Sequence, residues 1–261
     1  MTDSAIPQGI PAATIIIFRN APSGDGPPEV LMTVRSSGMS FAGGMAVFPG
    51  GRVDPADFAL GEAIADAHGL APDEAAHQIA AIRETLEETG LAMGLTGTID
   101  AERAAAARAM LAKTQALAPV LAEFGWQLDL SQITPFARWF PKNERIARVY
   151  DTRFYLANLG TGAVELSIDH AENTHLFWTS AQGALEAAER GEIKLIFPTR
   201  RNLERLALFA SYEEARAQAE AIPVRTIMPQ VVEKGGKAWL TILADAGYPV
   251  TAELLETVAR G

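Results

Sequence analysis

The stretch IRETLEETGL, residues 82–91, decides the fold and places unusual charge on one helix. Helical periodicity puts Ile82 on an apolar side of this segment. Glu84, Glu87 and Glu88 follow the spacing i, i+3, i+4, so their carboxylates lie together on roughly the opposite side. The segment therefore predicts a helix with one buried side and one side of three neighbouring carboxylates.

A solvated helix face is the simple explanation of such a charge run. However, three carboxylates at this spacing repel one another, and only Arg83 brings positive charge close to them. Mg²⁺ takes oxygen ligands from carboxylates and keeps coordination positions for water and substrate phosphates. The spacing therefore favours a divalent metal site over a plain solvated face.

Start and stop signals bound this helix. Pro72 suits the first helical position, Asp73 and Glu74 suit the first turn, and Gly90 suits the position after the last turn. The sequence therefore predicts a helix that runs from Pro72 to the residue before Gly90.

Upstream lies FPGGRVDPAD, residues 48–57, a short strand that leads into a glycine-containing turn. Glycine at positions 50 and 51 lets the backbone approach a ligand closely and leaves a carbonyl oxygen for an ion. A plain turn is the alternative reading of these glycines taken alone.

Together the two segments resemble the Nudix hydrolase signature, Gly-x5-Glu-x7-Arg-Glu-hydrophobic-x-Glu-Glu-x-Gly-hydrophobic. Here the signature runs over residues 51–91 and departs from the family pattern in three ways. Asp57 replaces the first glutamate, Thr85 occupies a hydrophobic position, and the seven-residue spacer is 25 residues long, from Phe58 to Ile82. We expect the 18 additional residues, an insertion within 58–82, to loop out before the helix begins.

The resemblance implies a metal site for Mg²⁺ or Mn²⁺. Glu87 and Glu88 would be the main ligands, helped by the carbonyl of Gly51. Glu84 would be a further ligand or would orient the attacking water, so all three glutamates are candidate catalytic residues.

The resemblance gives Arg83 a structural role, as the partner of an upstream carboxylate such as Asp57. It also implies the fold, an α/β/α sandwich with a mixed sheet. The implied reaction is attack of water on a diphosphate that is linked to another group. Retention of the three helix carboxylates favours an enzyme over a non-catalytic Nudix module that senses nucleotides.

A second resemblance concerns the substrate. LMTVRS at residues 31–36, then Gly44 and FPGG at residues 48–51, are similar to the coenzyme A motif of Nudix CoA diphosphatases. Ser40 replaces the second arginine of that motif. Arg35 remains as a candidate phosphate contact, or is an edge-strand arginine paired with a surface acid. The other candidate substrate-binding residues are Gly50, Arg52 and Arg153.

The long spacer, Trp139, the strand at 150–154, and Glu172 followed by Trp178 resemble the peroxisomal CoA diphosphatase branch. That resemblance implies cleavage of CoA or acyl-CoA into 3′,5′-ADP and (acyl-)4′-phosphopantetheine. ADP-ribose, NADH or a nucleotide sugar is the alternative substrate. Because the sequence ends without a Ser-Lys-Leu type signal, we expect the protein not to be peroxisomal.

Two further groups have an open interpretation. Glu172, or Glu165, is a possible general base on a loop, or simply faces solvent. Five cations fall close together and form either a local anion pocket or a solvated basic turn. They are Arg138, Lys142, Arg145, Arg148 and Arg153.

Composition narrows the function classes. The 261 residues carry a formal net charge of −10 and no cysteine, and 48% are hydrophobic. The absence of cysteine excludes disulfides, thiolate metal sites and a cysteine nucleophile. The acidic balance argues against nucleic acid and membrane surfaces as partners. We expect a cytoplasmic protein, since no targeting signal or membrane span is evident, and by family analogy a possible homodimer.

We expect one domain over residues 1–261 because no linker or repeat interrupts the chain. Strands are predicted at 13–18 and 29–34. A helical insertion with a break at Pro119 is predicted at about 100–125, and a helical C-terminal extension at about 181–221. Gly235 and Gly236 predict a terminal hairpin over 224–243.

Overall fold

The structure is a computed structural model that describes residues 9–22, 24, 26–36, 38, 42–141, 149–160 and 173–258. Its helices are α1 (Pro55–His68), α2 (Pro72–Thr89), α3 (Ala101–Thr114), α4 (Leu117–Phe124), α5 (Ala181–Glu189), α6 (Phe197–Leu206) and α7 (Tyr212–Ala221). Its strands are β1 (Ile10–Arg19), β2 (Glu29–Arg35), β3 (Ala46–Val47), β4 (Gly50–Arg52), β5 (Leu95–Thr96), β6 (Gln127–Leu128), β7 (Thr134–Trp139), β8 (Tyr150–Gly160), β9 (Asn173–Ser180), β10 (Thr226–Ile227), β11 (Gln230–Lys234), β12 (Lys237–Thr241) and β13 (Ala252–Leu254).

The main sheet is mixed and has β1 at its centre. Its strand order is β10-β7-β8-β1-β2-β3, with β4 also paired to β1 and β9 also paired to β2. β1 runs parallel to β8 and antiparallel to β2 and β4. The pairing of Thr14 with Gly50 brings β4, and with it the start of the predicted signature, onto the central strand.

Side chains of β1 alternate between two apolar cores, as the period of two in a strand requires. Ile15 and Ile17 pack in a core with residues of α1 to α4. Ile16 and Phe18 pack in a second core with residues of α5 to α7. Helices therefore cover both faces of the mixed sheet, and the predicted α/β/α sandwich is confirmed.

Helix α2 confirms the predicted bounds of the carboxylate helix. It begins at Pro72 and ends at Thr89, and Gly90 follows in the left-handed conformation with φ 77°. Ile82 and Leu86 are fully buried in the core, as the periodicity predicts. Thr85 is also buried, and its hydroxyl donates a hydrogen bond to the Ala81 carbonyl at 2.7 Å, which explains why a polar residue is tolerated at this hydrophobic position.

The extended spacer is not the loop that the sequence predicts. It folds largely into α1, which packs on α2. Gly61 permits the close approach, because a Cβ at that position would lie 2.7 Å from the Ala76 nitrogen and 2.9 Å from the Pro72 carbonyl oxygen. Glycine usually weakens a helix, but here it fits the contact between two helices.

The inserted helices also differ from expectation. The break between α3 and α4 falls at Gln115, in the left-handed conformation with φ 50°, and not at Pro119. Pro119 lies in the first turn of α4, where its missing N–H has no intrahelical acceptor to lose.

The C-terminal segment forms the predicted hairpin only in part. β11 and β12 pair around Gly235 and Gly236, but the preceding β10 joins the main sheet beside β7. In the part of the chain that the structure describes, no helix is long and apolar enough to cross a membrane.

Candidate active site

A cleft of about 400 Å³ opens beside β4 and the C-terminal half of α2. It brings together seven of the residues that the sequence predicts for the site. They are Arg35, Gly50, Gly51, Arg52, Glu84, Glu87 and Glu88. The juxtaposition follows from topology, because β4 pairs with the central strand and α2 packs against both.

Glu88 is the most buried of the three carboxylates. Only 2% of the residue is exposed, and its Oε2 accepts a hydrogen bond from the Gly50 amide at 2.9 Å. Gly50 has φ 154°, and a Cβ there would lie 2.4 Å from the Ala13 carbonyl oxygen. Glycine is therefore required at position 50 for the turn to reach Glu88.

Glu84 packs directly on the backbone of Gly51. A Cβ at Gly51 would lie 2.4 Å from the Glu84 carboxyl carbon, so any side chain at position 51 would displace that carboxylate. The same carboxylate pairs with Arg83, whose Nη1 lies 2.9 Å from Oε1. Gly51 therefore helps to fix the position of the Glu84 carboxylate, in addition to forming the turn. We call this the template role of Gly51.

The electrostatics of Glu84 reflect this enclosure. Burial raises the pKa of Glu84 to about 8, with further upward contributions from Glu88 and Glu87, while the charge of Arg83 opposes the rise. The cluster therefore concentrates more negative charge than Arg83 alone compensates, which is the situation that a cation next to the carboxylates would relieve.

Arg83 is a buried structural partner, as the resemblance implies. Its Nε donates to Asp57 Oδ1 at 3.0 Å and its Nη2 donates to Asp57 Oδ2 at 2.9 Å. Burial lowers the pKa of Arg83, but the charges of Glu84 and Asp57 outweigh that effect and raise it overall. Asp57 is therefore the upstream carboxylate that pairs with Arg83, and it also caps α1 by accepting a bond from the Asp54 amide at 2.9 Å.

Arg108, which the sequence did not single out, ties the inserted helix α3 to the end of α2. Its guanidinium donates to the carbonyls of Glu87 at 2.7 Å and Glu88 at 3.4 Å. A cation at a helix C-terminus satisfies carbonyls that lack intrahelical partners and interacts favourably with the helix dipole. No short motif marks such a contact, since the two residues lie some twenty positions apart in sequence.

Arg153 lies away from the cleft, contrary to its predicted role in substrate binding. Its neighbours on β8, Thr152 and Phe154, line the cleft, so strand alternation turns Arg153 to the other face of the sheet. There its guanidinium forms ion pairs with Asp73 and, at 2.6 Å, with Glu74 in the first turn of α2. Its charge is used to anchor the start of α2.

The remaining predictions lie partly outside the described residues. Glu165 and Glu172, Ser40, and the cations at 142, 145 and 148 belong to that group. Arg138, a further member of the basic cluster, pairs with Asp151 at 2.6 Å. Of the two candidate arginines that line the cleft, Arg52 has an exposed side chain, while Arg35 has a buried Nε without a hydrogen-bond partner among the described residues.

The cleft also contains residues that sequence reasoning missed. Ile196, Pro198 and Thr199, at the N-terminal end of α6, form part of its lining, as does Gln115 from the inserted helices. A helical extension is predicted at about 181–221, with no start assigned to this helix. Pro198, in the first turn of α6, is the start signal that could have placed the N-terminal end of the helix.

Within the residues described, no three His, Asp or Glu side chains stand in an arrangement that holds a metal ion. The carboxylates point instead to protein donors, Glu88 to Gly50 and Glu84 to Arg83. Their chemistry fits a hard divalent cation, because the donors are carboxylate oxygens and the Gly51 carbonyl, which keeps a second lone pair.

The geometry gives a first prediction. Gly51→Ala should lower kcat/KM by about 10-fold to 100-fold, as the loss of a group that orients a metal-binding carboxylate does, with little change in the unfolding temperature. The cause would be the clash between the new Cβ and the Glu84 carboxylate. In a Glu84→Ala background the same change should have no further effect, and an equal loss in both backgrounds would contradict the template role of Gly51.

A second prediction concerns Arg108. Arg108→Ala should lower both the unfolding temperature and kcat, because the last carbonyls of α2 lose a charged donor. Arg103→Ala is the matched control on the same helix. The Arg103 guanidinium donates to carbonyls outside α2, those of Thr98 at 2.8 Å and Phe124 at 2.5 Å. Equal kcat values in the two variants would show that Arg108 does not position the carboxylates.

Comparisons with known proteins agree with this geometry. The chain is 29% identical to the acyl-coenzyme A diphosphatase NUDT19 of Gallus gallus, over 78% of this chain and 69% of that protein. It is also similar to the crystal structure of a NUDIX hydrolase from Alicyclobacillus acidocaldarius, with a TM-score of 0.69, 26% identity, and coverage of 82% of this chain and 97% of the other. The NUDIX domain model matches residues 10–144, just over half of the chain and the part that contains both β4 and α2. This chain therefore belongs to the NUDIX domain family.

Proposed function

We propose that this protein is a Nudix diphosphatase that hydrolyses the diphosphate linkage of CoA or acyl-CoA. The products would be 3′,5′-ADP and 4′-phosphopantetheine or its acyl derivative. The observation that carries the enzymatic part is the set of three carboxylates from α2 in one cleft with Gly50 and Gly51. The similarity to a protein named as an acyl-coenzyme A diphosphatase supports the choice of substrate.

The position of Arg35 also supports a CoA-type substrate. Arg35 belongs to the segment that resembles the coenzyme A motif, and it lines the same cleft as Glu87 and Glu88. Its buried Nε has no hydrogen-bond partner among the described residues. An arginine in this state offers a planar charged donor to a phosphate.

Glu87 and Glu88, with Gly51 and Glu84, would hold Mg²⁺ or Mn²⁺. The cation, when bound, neutralises phosphate charge and lowers the pKa of a coordinated water. The protein residues do the positioning: the Gly50 amide fixes Glu88, and Arg83 holds Glu84 against Gly51. Arg35 would orient the diphosphate so that water reaches phosphorus from the side of the carboxylates.

The test is a substrate panel. Purified protein with Mg²⁺ or with Mn²⁺ is given CoA, acetyl-CoA, ADP-ribose and NADH at equal concentration, and products are separated by chromatography. We expect the highest kcat/KM for CoA or acetyl-CoA, with 3′,5′-ADP released, and no turnover when the metal is removed by EDTA. If CoA were the slowest substrate, the protein would belong instead to the alternative group acting on ADP-ribose, NADH or nucleotide sugars.

A non-catalytic module that senses nucleotides is the alternative of another class. It would bind nucleotides in the same cleft without turning over any member of the panel. The presence of all three carboxylates favours the enzyme. Homodimerisation and a cytoplasmic location stay predictions, and light scattering of the purified protein tests the first of them.

A further inference from the structure

The N-terminal end of α6 is brought to the cleft by the edge of the main sheet. Leu195 forms a parallel bridge with Ala46 of β3, and the Ala46 amide donates to the Lys194 carbonyl at 2.8 Å. Because the two segments run in the same direction, the chain after Leu195 follows the segment that leads from β3 to Gly50. Helix α6 therefore begins on a wall of the cleft that contains the carboxylates.

This helix end offers unused donors. The N-cap residue Ile196 has no side chain that can cap, and Pro198 has no N–H. The amides of Phe197 and Thr199 belong to the first turn, where no intrahelical acceptor exists, and neither has a hydrogen bond among the described residues. The helix dipole adds partial positive charge at the same place.

Thr199 provides an independent observation. The residue is only 3% exposed and lines the cleft. Among the described residues its hydroxyl makes no hydrogen bond, and it is not one of the fully buried polar atoms that lack a partner. The buried threonines of α2 behave differently, because Thr85 and Thr89 donate to carbonyls of the preceding turn at 2.7 Å and 2.6 Å. The hydroxyl of Thr199 therefore keeps its donor and acceptor positions for a ligand in the cleft.

Arg35 lines the same cleft as Thr199 and the first turn of α6. Its backbone amide donates to the Met45 carbonyl at 3.1 Å, which places the residue beside the segment that enters β3, and Leu195 lies next to that segment. The unpartnered Nε of Arg35 and the hydroxyl of Thr199 therefore line one cleft, close to the same sheet edge.

We propose that Thr199, the first-turn amides of α6 and Arg35 form a phosphate subsite. The proposal rests on the proposed function and deepens it, because it names the residues that hold a phosphate group away from the carboxylates. Two sources share this chemistry: the diphosphate itself, and a phosphate monoester elsewhere on the nucleotide, such as the 3′-phosphate of CoA. Hydroxyl, amide and guanidinium donors suit either one.

The experiment measures binding by titration calorimetry, so that it does not depend on turnover. The ligands are 3′,5′-ADP, 5′-AMP and inorganic pyrophosphate, and the variant is Thr199→Val, which keeps the size of the side chain and removes the hydroxyl. We expect the dissociation constant of at least 3′,5′-ADP or pyrophosphate to rise by about 10-fold, the effect of one hydrogen bond to a charged group. Thr199→Ser should restore most of the affinity.

Thr33→Val is the matched control. Thr33 is likewise a buried threonine, 1% exposed, and its hydroxyl has no partner among the described residues, but the residue does not line the cleft. Its replacement should leave all three dissociation constants unchanged. This control separates the effect of a threonine-to-valine change inside the protein from the loss of a ligand contact in the cleft.

The ligands that bind more weakly to Thr199→Val show which phosphate group occupies the subsite. Weaker binding of 3′,5′-ADP alone supports a monoester subsite, and weaker binding of pyrophosphate supports a diphosphate subsite. Unchanged binding of all three ligands in Thr199→Val overturns the proposal. If Thr199→Val weakens binding while the wild-type protein fails to hydrolyse CoA, the subsite stands and only the CoA assignment is lost.

Discussion

Replacement of Glu88 by glutamine is expected to lower kcat by about 1000-fold or more, because metal-assisted charge stabilisation contributes several kcal/mol to such reactions. Glutamine keeps the size of the side chain, and its amide oxygen can still accept the bond from the Gly50 amide. The variant therefore loses the negative charge and keeps the local packing. Glu87→Gln should have a similar effect on kcat.

Activity is measured with the best substrate of the panel at saturating Mg²⁺, beside thermal unfolding of each protein. Glu62→Gln is the matched control. Glu62 is an exposed residue of α1, and its replacement by glutamine removes the same charge from the protein. We expect its kcat to equal that of the wild type. Full activity in both Glu87→Gln and Glu88→Gln would remove these residues from the active site and end the metal-site proposal.

The carboxylate helix was predictable because two independent signals in the sequence agree, the spacing of its apolar residues and the residues at its two ends. Its apolar residues have helical spacing, and the end signals Pro72 and Gly90 coincide with the observed bounds. The role of Asp57 was predictable only through the family pattern. Nothing local in the sequence connects Asp57 with Arg83, whose contact spans 26 positions.

The failures have physical reasons. Gly61 signals a break by its own propensity, but close packing against α2 makes glycine the residue that fits, so a helix forms where a loop was expected. Arg153 was placed in the cleft because of its charge, while the alternation of side chains along β8 sends it to the opposite face. Thr199 carries no motif, since its importance comes from the position of a helix end in the folded chain.

The buried pair of Asp57 and Arg83 gives the second large prediction. Asp57→Ala should lower the free energy of unfolding by about 3–5 kcal/mol, because removal of one member leaves the other charge buried. Asp57 is 1% exposed and Arg83 is 3% exposed, so water replaces little of the lost contact. For a chain of this size the loss corresponds to a fall in unfolding temperature of roughly 6–20 °C.

The same variant should also lose activity at temperatures where it is folded. Arg83 contacts Asp57 with Nε and Nη2 and Glu84 with Nη1, so the position of Arg83 sets the position of the Glu84 carboxylate. Asp57→Glu, which restores the family residue, keeps the charge and should retain more stability than Asp57→Ala. Asp66→Ala is the control, because Asp66 is an exposed acid on the same helix. If Asp57→Ala unfolded at the same temperature as Asp66→Ala, the buried pair would not be what joins α1 to the carboxylate helix, and the extended spacer would need another reason to pack there.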